Sequence, residues 1–301
     1  METVTRTSPA GVVTSVLASL LFGIIFFISG AIDARAETIV AWRVLITAAC
    51  YLILLMVPAG RQLCGDFWRA ATATRWRPLA FVALVLLIAL QLWLFAWAPK
   101  GHALDASLGY LLLPIFLVAV GRFFFKDDIS HLQWWAVGIA VVAVGIKFLI
   151  SAQLSWVTLA IAAGYALYFG IRKATGLNNA FAYGAEVIVL SPLAILLLVS
   201  VSDPADGTSM TLVMIAGFAG CLAMVLYLAA STLLTMPVFG LLSYGEPLLL
   251  FIAALLLGET LGISDGVVYG LLGISLMILA LDGLRRSRVS PAPVVLHKEN
   301  V

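Results

Sequence analysis

The strongest constraint on this chain is a succession of ten apolar stretches, each about as long as a bilayer core is thick. They fall at 12–32, 38–57, 79–98, 104–124, 132–150, 154–172, 181–199, 209–229, 235–257 and 263–282. A helix needs about 20 apolar residues to cross the hydrocarbon region. Lipid offers no hydrogen bonds to an exposed backbone, so such stretches must close their bonds internally as helices. Composition agrees: 63% of the residues are hydrophobic and 11% are charged, against about 25% charged in a soluble domain. The expected fold is an all-α integral membrane protein of ten transmembrane helices.

Charge placement orients the stack. With the N-terminus inside, the inner segments hold Arg6, then Arg61, Arg69, Arg75 and Arg77, then Arg122 and Lys126, then Arg172 and Lys173, then Arg285, Arg286, Arg288 and Lys298. The outer ends hold only Arg35, Lys100 and Lys147. Basic residues concentrate on the cytoplasmic side, so both termini are expected there. The start of the chain mimics a secretory signal, with Arg6, an apolar run and Ala34-Arg35-Ala36. Its apolar run exceeds the roughly 7–15 residues of a signal core, and it reads as the first membrane helix, uncleaved. Cys50, Cys64 and Cys221 lack metal or redox spacing and read as small packing residues without a disulfide. The segment 287–301, with Pro291 and Pro293, reads as a disordered cytoplasmic tail.

The two halves, 1–150 and 154–282, resemble each other in order. Leu113-Pro114-Ile115 in the fourth run matches Glu246-Pro247-Leu248 in the ninth. Each proline leads through an apolar stretch to an acidic turn, Lys126-Asp127-Asp128 or Gly258-Glu259. Phe22-Gly23-Ile24 matches Phe169-Gly170-Ile171, and Trp42-Arg43-Val44 falls where Ala185-Glu186-Val187 falls. Five helices per repeat turn the second copy upside down. The charges follow: the loop after the second run carries four arginines, whereas the one after the seventh carries Asp203 and Asp206 and no basic residue. Two inverted five-helix repeats place a site near the midplane between them.

Glu246 stands out within that plan. It lies about eleven residues into the ninth run, roughly 16 Å from its start at 1.5 Å per residue. An ionisable group inside a membrane costs about 2.5–3.5 kcal/mol on insertion scales and is usually turned to a cavity or a partner. Pro247 beside it removes a backbone donor and frees a carbonyl on the preceding turn. The pair offers a carboxyl that can exchange a proton and an extra acceptor. The alternative is a static Glu holding its helix to a neighbour.

The string Asp105-Ala106-Ser107-Leu108-Gly109-Tyr110-Leu111-Leu112-Leu113-Pro114-Ile115 resembles the motif that opens the fourth helix of RarD-like permeases, the chloramphenicol-sensitivity group. These belong to the EamA family within the drug/metabolite transporter superfamily. Trp42-Arg43, Trp93 to Ala98, Tyr168 to Lys173, Glu186 with Ser191-Pro192, and Gly240 to Tyr244 support the resemblance, which spans all ten runs. Trp42 replaces the His usual before the arginine, Asp105 stands where Glu is usual, and Gly245-Glu246 replaces a common I-G. The resemblance implies a multi-pass permease of the bacterial inner membrane, moving a small metabolite or drug-like molecule by alternating access.

Site expectations follow from both readings. Glu246, Tyr244, Pro247, Tyr110, Ser107, Gln91 and Tyr168 form the substrate and coupling set, because tyrosines, amides and hydroxyls give a lining that is apolar in area yet able to hydrogen-bond. Arg43 with Asp105, and Arg172 with Glu186, form the expected gate ion pairs, outer and inner. Trp93 and Trp97 read as interfacial anchors, Lys147 as a snorkelling end, and Glu259 and Asp265 as solvated loop charges. No metalloprotease, hydrolase or nucleotide-binding motif occurs, and His102, His131 and His297 lie outside the runs, so no enzyme, metal or cofactor is expected. The expected partners are a small-molecule substrate, lipid and protons, with no nucleic acid; the protein is read as a monomer or homodimer. A lipid-carrier flippase of the same fold and a non-transporting scaffold are the competing readings.

Overall fold

A computed structural model describes residues 8–151, 155–177, 181–201, 207–234 and 236–289, all as helices and short connections. The helices are α1 (Pro9–Ala31), α2 (Ala36–Leu54), α3 (Pro58–Thr72), α4 (Arg77–Trp97), α5 (Ala103–Phe125), α6 (His131–Ser151), α7 (Trp156–Thr175), α8 (Ala182–Ser200), α9 (Gly207–Leu233), α10 (Met236–Ser243), α11 (Gly245–Leu256) and α12 (Ile263–Val289). Eight of them, α1, α2, α4, α5, α6, α8, α9 and α12, are long and apolar enough to cross a membrane. The more polar α7 and the short α10 and α11 occupy the remaining two apolar runs.

Helix ends follow local chemistry. Prolines stand in the first turn of α1, α3 and α4, where the missing N–H is an orphan anyway. Gly176 ends α7 in the left-handed conformation at φ 70°, which costs glycine nothing. The ninth run is broken rather than continuous. Pro247 has no N–H to give the Ser243 carbonyl, and the helix parts one residue later, at Tyr244. Pro114 withdraws the same bond from the Tyr110 carbonyl, yet α5 continues through it.

Two expectations need correction. The segment after the second run is not a plain loop, because α3 is a short amphipathic helix. It buries Phe67 and Ala71, while Arg61 and Arg69 are exposed. Its stripe is too short and too polar to cross, and it marks a surface element. The expected tail also starts late, for α12 runs to Val289, and residues 290–301 lie outside the described residues.

Packing is mainly between the first and second halves of the chain. The helix α1 lies against α9 and α11, α2 against α8 and α9, α4 against α7, α5 against α7 and α11, and α6 against α12. Small residues permit the closest crossing. A Cβ at Gly109 of α5 would stand 2.9 Å from the Thr158 carbonyl of α7, so that crossing requires glycine. The outer surfaces of α1, α6, α8 and α9 carry exposed large apolar residues such as Ile24, Val141, Ile195 and Phe218, as lipid demands.

Candidate functional site

A cavity of about 310 Å³ opens where α5, α7, α9, α10 and α11 converge. Both prolines, Pro114 and Pro247, line it, with Tyr110, Tyr244 and Glu246. Tyr227, Phe239 and Phe169 complete an aromatic wall. Glu246 is the second residue of α11 and is half-buried. A carboxylate in that first turn faces the positive end of the helix dipole. Among the described residues, no cationic side chain lines the cavity. The residues whose carbonyls lose a partner to the two prolines, Tyr110 and Ser243, also line it. The break at Tyr244 therefore lies beside one space lined by a carboxyl and three tyrosines.

The remaining expected residues, Gln91, Ser107 and Tyr168, do not line this cavity. Gln91 is fully buried on α4 and donates from Nε2 to the Ala160 carbonyl at 2.9 Å, while its Oε1 has no partner among the described residues. Gly164 of α7 leaves the room its amide occupies. Ser107 is buried and bonds Tyr269 Oη at 2.7 Å. Tyr269 in turn donates to the Leu104 carbonyl at 2.6 Å. Tyr168 is not in the cavity wall. Rings lead to it from Tyr110 through Tyr165, at centroid distances of 5.7 and 6.4 Å.

Arg172 and Glu186 are joined at 2.8 Å and are 12% and 1% exposed. Tyr168 donates to the other carboxylate oxygen at 2.7 Å, and the Arg172 guanidinium lies 4.7 Å from the Tyr168 ring centre. Both partners belong to consecutive helices of the second half, so the pair fixes α7 to α8 rather than bridging the halves.

The expected Arg43–Asp105 pair is absent. Asp105 lies 3.7 Å from His102 Nδ1, at the start of its own helix. Arg43 is 8% exposed and sits over the Phe95 ring at 4.9 Å, facing Gly220, where a Cβ would stand 3.0 Å from its Nε. The physical reason is depth: Asp105 opens α5 at the surface, whereas Arg43 is turned into the bundle. A cation–π contact supplies roughly 0.5–2 kcal/mol, less than the roughly 2.5–3.5 kcal/mol cost of an arginine at membrane depth.

Glu259 and Asp265, expected as solvated charges, instead tie helix ends together. Glu259 accepts from the Ala103 and Leu104 amides at 2.6 and 2.7 Å, capping α5 from the far half of the chain. Lys147 of α6 pairs with Asp265 of α12. A smaller cavity of about 170 Å³ lies among these groups. At the opposite end, Lys173 pairs with Asp127 at 2.7 Å, half-exposed. Sequence reasoning missed Tyr165, Tyr227, Phe239, Tyr269 and the roles of Glu259 and Asp265. The one available signal was Gly258 before Glu259, a helix stop that leaves the acid free to reach a neighbouring helix end.

No family model matches the chain. It is 31% identical to an uncharacterized transporter of Pasteurella multocida over 92% of this chain and 97% of that one. It is 33% identical to the chloramphenicol-sensitive protein RarD of Pseudomonas aeruginosa, over 94% and 97%. An uncharacterized transporter of Haemophilus influenzae is 32% identical, over 91% and 94%. One solved crystal structure shares the fold with a TM-score of 0.50 at 14% identity, covering 92% of this chain and 98% of that one.

Proposed function

The chain belongs to the RarD-like family of membrane transporters, and from that premise we propose that it moves a small organic molecule through the cavity beside Glu246 by alternating access. The observation that carries this reading is the convergence of Pro114, Pro247, Tyr110, Tyr244 and Glu246 on one space between helices of both halves. The ten apolar runs are read as two inverted repeats, 1–150 and 154–282. The packing supports the repeat, because partners interchange between halves. As α1 meets α9 and α11, so α7 meets α4 and α5, while α2 with α8, α5 with α11 and α6 with α12 pair equivalent elements. The repeats sit in a bacterial inner membrane with both termini in the cytoplasm.

Alternation needs contacts that form on one side while the other is open. The Glu259 cap on α5 and the Lys147–Asp265 pair hold the outer ends of the two repeats together. Glu246 exchanges a proton as the cavity changes sides, coupling proton movement to substrate movement.

An untargeted metabolite comparison of cells with and without the protein tests transport. A compound retained or depleted only with the protein supports it, and an unchanged profile on both sides of the membrane refutes it. Glu246→Gln keeps shape and hydrogen bonding but cannot titrate. It should bind substrate and lose pH-driven transport by at least about tenfold, the scale of about 1.4 kcal/mol. Unchanged pH dependence in a folded variant means Glu246 is structural.

A further inference from the structure

Arg43 carries a charge that no ion pair answers among the described residues. It is nine-tenths buried, and among the described residues it makes no ion pair. The acids that sequence or position would offer it are engaged elsewhere or held off. Glu186 is bound to Arg172 and Tyr168, and Asp105 lies by His102. Glu246 is within electrostatic range of Arg43 but forms no ion pair with it. On the α9 side the facing residue is Gly220, which adds no side chain. On the α4 side the guanidinium lies over Phe95, whose ring packs edge-on against Tyr110 at 6.2 Å. Tyr110 is part of the cavity wall, so Arg43 stands one ring behind it.

We propose that Arg43 receives a carboxylate of the transported molecule, making the substrate an organic acid with an apolar or aromatic body. This rests on the reading of the cavity as the transport path. A ring covers a face of the guanidinium, while its N–H donors lie in the guanidinium plane, where a carboxylate engages two at once. A single arginine with no second cation beside it among the described residues balances one negative charge, which suits a carboxylate better than a doubly charged phosphate. The rings of Tyr110, Tyr227, Phe169 and Phe239 suit the apolar body.

The test uses the full chain purified in detergent and two probes of one shape, 3-phenylpropionate and 3-phenylpropionamide. A ligand of the native state raises the melting temperature. The acid should raise it and the amide should not. Arg43→Gln should abolish the shift, and Arg43→Lys, which keeps a point charge, should retain part of it. The melting transition itself reports that each variant is folded. Equal shifts from acid and amide, no shift from either, or a shift that survives Arg43→Gln overturns the proposal. The metabolite comparison separates the two readings. Transported compounds that lack an acid group sink this proposal and leave transport standing, whereas no transported compound at all sinks transport and this proposal with it.

Discussion

Gln91 illustrates how far a single side chain can be read. Its amide is fully buried with one donor satisfied and its oxygen unpartnered. A buried polar atom left unsatisfied costs about 1–3 kcal/mol, so packing alone does not explain a glutamine there. Gln91→Met keeps the volume and removes the orphan oxygen. The variant should melt within a few degrees of the wild type and transport should fall several-fold, measured by thermal melting and uptake in proteoliposomes. A wild-type transport rate would make Gln91 a packing residue. Glu259 gives a second test at this scale. Glu259→Gln removes the charge that caps α5, worth roughly 1 kcal/mol in a partly buried helix terminus. A cysteine at Leu104 should then react about fivefold faster with a thiol reagent that cannot cross the membrane. An unchanged rate would show that the cap does not restrain the outer end.

At the level of the element, the broken ninth run has the most to say. Pro247→Ala returns an N–H to the Ser243 carbonyl and favours one continuous helix through Tyr244. The variant should be at least as thermally stable as the parent, while transport drops about tenfold or more. A variant that transports normally would show that the break is dispensable. This element also shows what a sequence can disclose. Glu246 and Pro247 were legible because a charge and a missing donor inside an apolar run are local anomalies. The four arginines after the second run carry the expectation of sidedness, but not that α3 is helical, because a short stripe in a polar segment is outweighed by its loop-like composition. The sequence points Arg43 to the wrong neighbour and Glu259 to solvent for one reason. Which charge meets which depends on helix rotation and on the neighbour across the interface, and hydropathy encodes neither.

For the molecule as a whole, sidedness is the property most open to direct test. A cysteine replacing Lys100 should react with an impermeant maleimide added to intact cells, and native Cys64 on α3 should react only after permeabilisation. The reverse pattern would invert the topology drawn from the basic residues. The described helices also set a mechanical relation between the two ends of one rod. The helix α11 has twelve residues, which at 1.5 Å per residue is about 18 Å of stiff helix. The break at Tyr244 is at one tip, and Gly258, with φ 91°, and Glu259 follow the other. In the proposed alternation it would act as a lever with its fulcrum at the carboxyl of Glu246. A swing of about 10° at the fulcrum carries the far tip by about 3 Å, given that length, which is enough to pull both Glu259 hydrogen bonds off α5. Under that reading, a substrate that shifts the cavity end by a fraction of an ångström would be geared to the seal on the opposite face.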